Sequence, residues 1–316
     1  MPFSPPPCTL NYWLELSHHY SHRGFAIRGY AWKEKGNLES AIADFDKAIS
    51  LKSDYAPAYI DRGSAYHAKK DLNKAISDFD TAIRLAPDFA PTYRDRGLAL
   101  YGNGDLDGAI QDYSQAIRLE PNFAAAYNNR GLALYDNGDL DGAIQDYSQA
   151  IRLDPNLAAA YNNRGVARRA QSDLVGAISD FNEAILLMPN DPNAYNNRGG
   201  TFSIKGDNLT AMPDFQKAIE LEPENGSYRA SLMRTLQSLG RIEEAKEQER
   251  IALKLIQNET AYGQACFEAI SGNADKALRL LQIAFDKKQE IKEWARRDPD
   301  FENIHDDPRF KELVGE

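Results

Sequence analysis

Apolar residues along most of this chain return at helical spacing, and the whole pattern repeats every thirty-four residues. In residues 124–157, AAAYNNRGLALYDNGDLDGAIQDYSQAIRLDPNL, the positions Leu140, Ala143, Ile144, Tyr147, Ala150 and Ile151 fall at i, i+3, i+4, i+7, i+10 and i+11, one face of a helix. Tyr127, Gly131 and Leu134 mark a similar stripe ahead of it. The pattern predicts two amphipathic helices that bury these faces against each other. Asn137-Gly138 predicts the break between them, with glycine in the left-handed conformation that ends a helix. Asp139 then caps the second helix, and Pro155 stops it, because proline has no N–H to donate and its ring clashes with the turn before it. Gly131, Ala143 and Ala150 are small where the two helices cross.

The preceding stretch, 90–123, differs from 124–157 at only seven of thirty-four positions. Looser copies span 22–55, 56–89, 158–191 and 192–225. Individual departures carry local expectations. Ser53 stands where proline is expected, and Lys70 replaces the turn glycine. Pro213 sits where a second helix should already have begun, which predicts either a late start capped by Thr210 or a kink. A weaker seventh copy, 226–257, keeps Gly240, Ala245 and Ala252, but has Met233 for the first glycine and Glu249 for the aromatic. A shortened eighth unit and a terminal cap fill 258–316, with Trp294, Phe301, Ile304, Phe310 and Leu313 assigned to the cap. Residues 1–21 do not fit the repeat: the Pro5-Pro6-Pro7 run predicts an extended lead, and Leu10, Trp13, Leu14 and Leu16 a short capping helix.

An aromatic at position 4 of the unit, Gly at 8, Gly-Asp at 15 and 16, Ala at 20, an aromatic at 24, Ala at 27 and Pro at 32 resemble the tetratricopeptide repeat, and six copies in phase make the resemblance specific. The ending DPDFENIHDDPRF is similar to that of bacterial members of this family. The resemblance implies an all-α fold: a right-handed α-solenoid of TPR helix-turn-helix repeats with a C-terminal helical cap. Such an array forms one elongated body in which each unit packs on its neighbours.

Composition narrows the function classes. A net charge of −10 and a pI near 5.1 oppose nucleic acid or an anionic membrane as main partner, because both repel an acidic body. Mean hydropathy of −0.57 fits a soluble chain, and no apolar run approaches the length of a membrane span. The N-terminus MPFSPPPCTLNYW has no basic and apolar regions of a secretory signal, so a cytoplasmic location is expected. Cys8 and Cys266 sit in unrelated contexts and imply no disulfide framework.

Candidate chemistry is sparse. Position 7 reads Arg28, Arg62, Arg96, Arg130, Arg164 and Arg198, and position 23 reads Asp44, Asp78, Asp112, Asp146, Asp180 and Asp214; in the seventh copy both change together, to Leu232 and Gln248. A partly buried guanidinium demands a carboxylate, so this pattern predicts a structural ion-pair ladder. Asn-Gly-Asp-Leu-Asp-Gly at 103–108 and 137–142 imitates the opening of a calcium loop, but Ser114 and Ser148 stand where the bidentate Glu is needed. His18 and His22 lie one turn apart without a carboxylate or Cys to complete a metal site. His305, Asp306 and Asp307 offer an alternative reading, a hydrolase or metal-dependent enzyme with a site near the chain ends, but their adjacency gives no nucleophile and base geometry. No catalytic residue, cofactor or metal is expected.

In the family, the first helix of each unit lines the concave face. Position 5 reads Ala26, Ile60, Arg94, Asn128, Asn162 and Asn196, and position 6 reads Ile27, Asp61, Asp95, Asn129, Asn163 and Asn197. Side-chain amides offer a donor and an acceptor together, and so suit the N–H and C=O of an extended peptide. The arrangement resembles the asparagine ladder in the repeats of the protein O-linked N-acetylglucosamine transferase. The carboxylate clamp of the cochaperone members is not matched, because position 9 holds Tyr30, Ser64, Leu98, Leu132, Val166 and Gly200 instead of Asn. Tyr101, Tyr135 and Arg169 at position 12, with Arg94, add aromatic and basic character that suits acidic and apolar side chains. The expected function is a non-catalytic scaffold that binds an extended segment of another protein in this groove.

Overall fold

The computed structural model describes residues 21–256 and 260–287 and, nearer the C-terminus, residues 292, 295, 296 and 298–315. All regular structure among them is helical. Seven pairs follow in order: α1 (His22–Glu34) with α2 (Leu38–Leu51), α3 (Ala56–Ala68) with α4 (Leu72–Leu85), α5 (Ala90–Gly102) with α6 (Leu106–Leu119), α7 (Ala124–Asp136) with α8 (Leu140–Leu153), α9 (Ala158–Ala170) with α10 (Leu174–Leu187), α11 (Pro192–Ile204) with α12 (Asn208–Leu221), and α13 (Gly226–Ser238) with α14 (Ile242–Ile256). An eighth pair, α15 (Ala261–Ile270) and α16 (Ala274–Lys287), precedes a 3-10 turn (Pro299–Ile304) and α17 (Pro308–Val314). Two compact units, Met1–Ala133 and Leu134–Glu316, divide the chain. Inside each, consecutive pairs pack in solenoid fashion. The N-terminal lead with its expected helix, His18, His19, Cys8 and Trp294 lie outside the described residues.

The turns form as the letters dictate. Gly36, Gly104, Gly138, Gly206 and Gly240 take φ between +72° and +90°, which spares them the Cβ clash that other residues meet there. Where the repeat lacks glycine the same conformation persists, at Lys70 (φ 62°) and Ser172 (φ 66°). The very next residue then caps the second helix: Asn37, Asp71, Asp105, Asp139, Asp173 and Asp207 each accept a backbone N–H three residues on. Asp207 corrects one of the two alternatives at Pro213, the late start. It starts α12 on schedule at Asn208, Thr210 donates its N–H to that cap instead of capping, and Pro213 lies inside the helix.

Small residues let the helices of a pair touch. A Cβ on Gly97 would stand 2.6 Å from Tyr113 Cε1, and one on Gly165 2.7 Å from Phe181 Cε1. The aromatic of each second helix therefore lies flush against the backbone of the first, and Phe45, Phe79, Tyr113, Tyr147 and Phe181 are all buried.

The predicted ion pairs hold the same crossing. Arg28 with Asp44, Arg62 with Asp78, Arg96 with Asp112, Arg164 with Asp180 and Arg198 with Asp214 each form two parallel hydrogen bonds of 2.5 to 2.9 Å. The remaining Nη1 reaches back to the second helix of the previous pair: Arg62 to Asp46, Arg96 to Asp80, Arg130 to Ser114, Arg164 to Ser148 and Arg198 to Asn182. Each guanidinium also lies over the ring three residues before it, at 5.2 to 5.9 Å. In the seventh pair Leu232 is buried among apolar neighbours, and Gln248 accepts from Arg229.

The C-terminal cap buries Phe301, Ile304, Phe310 and Val314 against Ala265, Cys266, Leu281 and Phe285, with Leu313 half-covered at its edge. Among the described residues no helix is long and apolar enough to cross a membrane.

Candidate functional site

The first helices carry the candidate residues, and all ten of them, Arg94, Tyr101, Asn128, Asn129, Tyr135, Asn162, Asn163, Arg169, Asn196 and Asn197, are half-buried. In the first unit this face is ionic. Lys33 Nζ lies 3.3 Å from Asp61, and Arg94 Nη2 lies 2.7 Å from Asp95. Arg94 also stacks over the Phe123 ring at 5.7 Å. Burial pushes both Asp61 and Asp95 above the usual carboxylate value, with Lys33 and Arg94 pulling the other way. Burial lowers His67. Asn128 Nδ2 meets Asn129 Oδ1 at 3.5 Å, and Tyr101 packs beside Tyr113 and Ala133.

In the second unit the face is built from amides. Asn197 Nδ2 donates to Asn162 Oδ1 at 3.0 Å, so asparagines of successive pairs meet. The carbonyl oxygen of Asn197 accepts from Thr201 Oγ1 at 2.8 Å and from Arg169 Nη1 at 3.3 Å. Asn196 Oδ1 is buried without a protein donor. Tyr135 packs against Ala143, Tyr147 and Ala167. Burial pushes the Arg169 guanidinium below its ordinary value, opposed by Tyr135, Asp300 and Asp298.

Further along, Asp298 caps the 3-10 turn through the Asp300 N–H and accepts from Tyr262 Oη at 2.9 Å and Cys266 Sγ at 3.7 Å. Burial and the neighbouring Asp298 push Asp300 and Cys266 upward. Spacing gave no sign of this cluster, whose members are far apart in the sequence. The acids of the alternative enzymatic reading are engaged elsewhere: Asp307 caps α17 and pairs with Arg309, and Asp306 lies 3.2 Å from Lys311.

Family models describing the tetratricopeptide repeat match residues 29–70, 63–104, 94–158, 146–195 and 192–225, which together span well over half of the chain. The chain belongs to the tetratricopeptide repeat family. Solved structures agree on the fold. Cut9 with Hcn1, an APC/C hetero-tetramer, aligns with a TM-score of 0.64 at 20% identity over 72% of this chain and 46% of that one. A tetratricopeptide repeat protein from Parabacteroides merdae aligns at 0.63 and 17% over 81% and 98%, and Pseudomonas aeruginosa PilF at 0.59 and 17% over 66% and 95%. The chain thus spans about half the length of the first of these. No curated protein sequence matches it.

Within this TPR chain the expected binding residues divide. Asn162 and Asn197 are brought together, whereas Arg94 is already paired and the two tyrosines serve partly as packing. Asn197 and Asn162 bond each other while both stay half-exposed. Sequence reading also missed the acceptors at position 25, whose signal is a short polar residue, Asp46, Asp80, Ser114, Ser148 or Asn182, in each of the first five copies.

Proposed function

We propose that this TPR protein is a non-catalytic interaction scaffold that holds an extended segment of another protein on its first-helix face. The contact that carries the reading is Asn197 to Asn162 at 3.0 Å, because it sets amides of successive pairs side by side. A thirty-four-residue period returns these amides once per pair, and a side-chain amide carries two N–H donors and an acceptor oxygen. An extended chain offers alternating N–H and C=O groups to such a row. Its side chains then matter less than its backbone, so the face tolerates varied sequences.

The test is a displayed peptide library panned on the intact chain and on the triple variant Asn129→Ala, Asn163→Ala, Asn197→Ala. At roughly 0.5 to 1.5 kcal/mol per amide hydrogen bond, the triple variant should weaken retained peptides by about 1.5 to 4.5 kcal/mol. Its melt should fall only slightly, through the lost amide contact. Peptides bound equally by both proteins would move the site to another face.

A further inference from the structure

Resting on that reading, we infer that Arg169 is the receiving site for a carboxylate of the bound segment. Three neighbouring arginines on the first helices of the second unit have their acids: Arg164 and Arg168 share Asp180 at 2.7 and 2.8 Å, and Arg198 holds Asp214 at 2.6 Å. Arg169 has none at ion-pair distance among the described residues. Its single hydrogen bond, at 3.3 Å, goes to a backbone oxygen that Thr201 already occupies more closely. A half-buried guanidinium left without a carboxylate is costly, and its fork of donors matches two carboxylate oxygens.

The seat for this side chain is specific to one repeat. Position 12 is Tyr101 and Tyr135 in the two near-identical copies and becomes arginine only in the fifth. Opposite it, position 9 of the next copy is Gly200, where the third to fifth copies carry Leu98, Leu132 and Val166. A Cβ at Gly200 would already touch Arg169 Nη1 at 3.4 Å, so a longer side chain would compete for the space of the guanidinium. Burial disfavours the Arg169 charge, and Asp300 and Asp298 oppose this through their field without an ion pair to Arg169 among the described residues, so an incoming carboxylate would favour the charge further. The same guanidinium reaches the backbone oxygen of Asn197, whose side-chain amide bonds Asn162, so backbone and acid of one segment can be read together.

The carboxylate can come from an Asp or Glu side chain or from a chain end, and two library formats separate these. One displays random twelve-residue segments flanked on both sides, the other the same segments ending in a free C-terminus. Both are panned on the full chain, on R169Q, on R169K and on G200V, with melts of each. Peptides selected on wild type should carry an acid at one recurrent place, or a free end. On R169Q the enrichment of acid over amide should fall about tenfold or more, with partial return on R169K and a loss on G200V. Retained peptides without an acidic preference, or a preference that survives R169Q, would overturn this inference and leave the amide reading standing. Peptides held equally by the wild type and by the triple variant Asn129→Ala, Asn163→Ala, Asn197→Ala would overturn both.

Discussion

Arg96 and Asp112 face each other across one helix pair through two parallel hydrogen bonds of 2.7 and 2.6 Å, and the free corner of the same guanidinium reaches Asp80 of the pair before at 2.6 Å. One side chain thus closes its own pair and fastens it to its predecessor. The carboxylate is buried and the guanidinium about a quarter exposed.

Arg96→Leu should therefore destabilise by about 3 kcal/mol, the low end for breaking a buried pair because the arginine keeps some solvent. The double change with Asp112→Leu should recover much of the loss. Chemical denaturation of the two single variants and the double gives the coupling, and a double variant no better than the sum of the singles would mean the groups do not meet energetically.

Lys70 and Ser172 occupy the left-handed conformation that glycine fills in the other turns. That region costs a non-glycine residue roughly 1 to 2 kcal/mol, while glycine costs somewhat less than 1 kcal/mol in added chain freedom, so Lys70→Gly and Ser172→Gly should each stabilise by about 0.5 to 1 kcal/mol. Melting temperatures that fall in both variants would contradict the turn argument.

Gly97→Ala places a methyl group 2.6 Å from the Tyr113 ring, against a neighbour buried on all sides. A loss of about 1 to 3 kcal/mol is expected, the usual cost of overpacking. Gly36→Ala serves as contrast, since a Cβ there meets no neighbour within 4 Å and the penalty comes from its φ of 76° alone.

Burial and Asp298 raise the Asp300 carboxyl to about 7. A raised folded value means that protonation favours the fold: this stability is fully present below the ordinary carboxylate value and is lost as pH rises through the folded one. The wild-type melt should accordingly drop between about pH 4 and pH 8 by more than that of Asp300→Asn. Parallel pH profiles for the two proteins would remove Asp300 from the account.

Most of the framework was legible because it is written locally. Turn glycines, capping aspartates and the apolar stripe of each second helix act within a few residues, and six copies displayed them together. The arginine and aspartate ladder was legible for a different reason, since both letters vanish at Leu232 and Gln248. Contacts between successive pairs were harder to see. Nothing in the letters alone distinguishes Arg94, neutralised by the adjacent Asp95, from Arg169, which lies over Gly200 without an acid. At Pro213 the late start does not occur: the proline removes one hydrogen bond inside the helix, yet the Asp207 cap still starts it at Asn208.

The guanidinium that joins each pair to the one before has an ancestral consequence. Copies two to six each bring an arginine for the upstream joint and copies one to five a short polar residue for the downstream one, as Arg130 and Ser114 show where the two most similar copies meet. A duplicated stretch of gene therefore inherits both halves of its splice and can be inserted without refitting either flank. Residues 90–123 and 124–157, alike at all but seven positions, carry this joint between them.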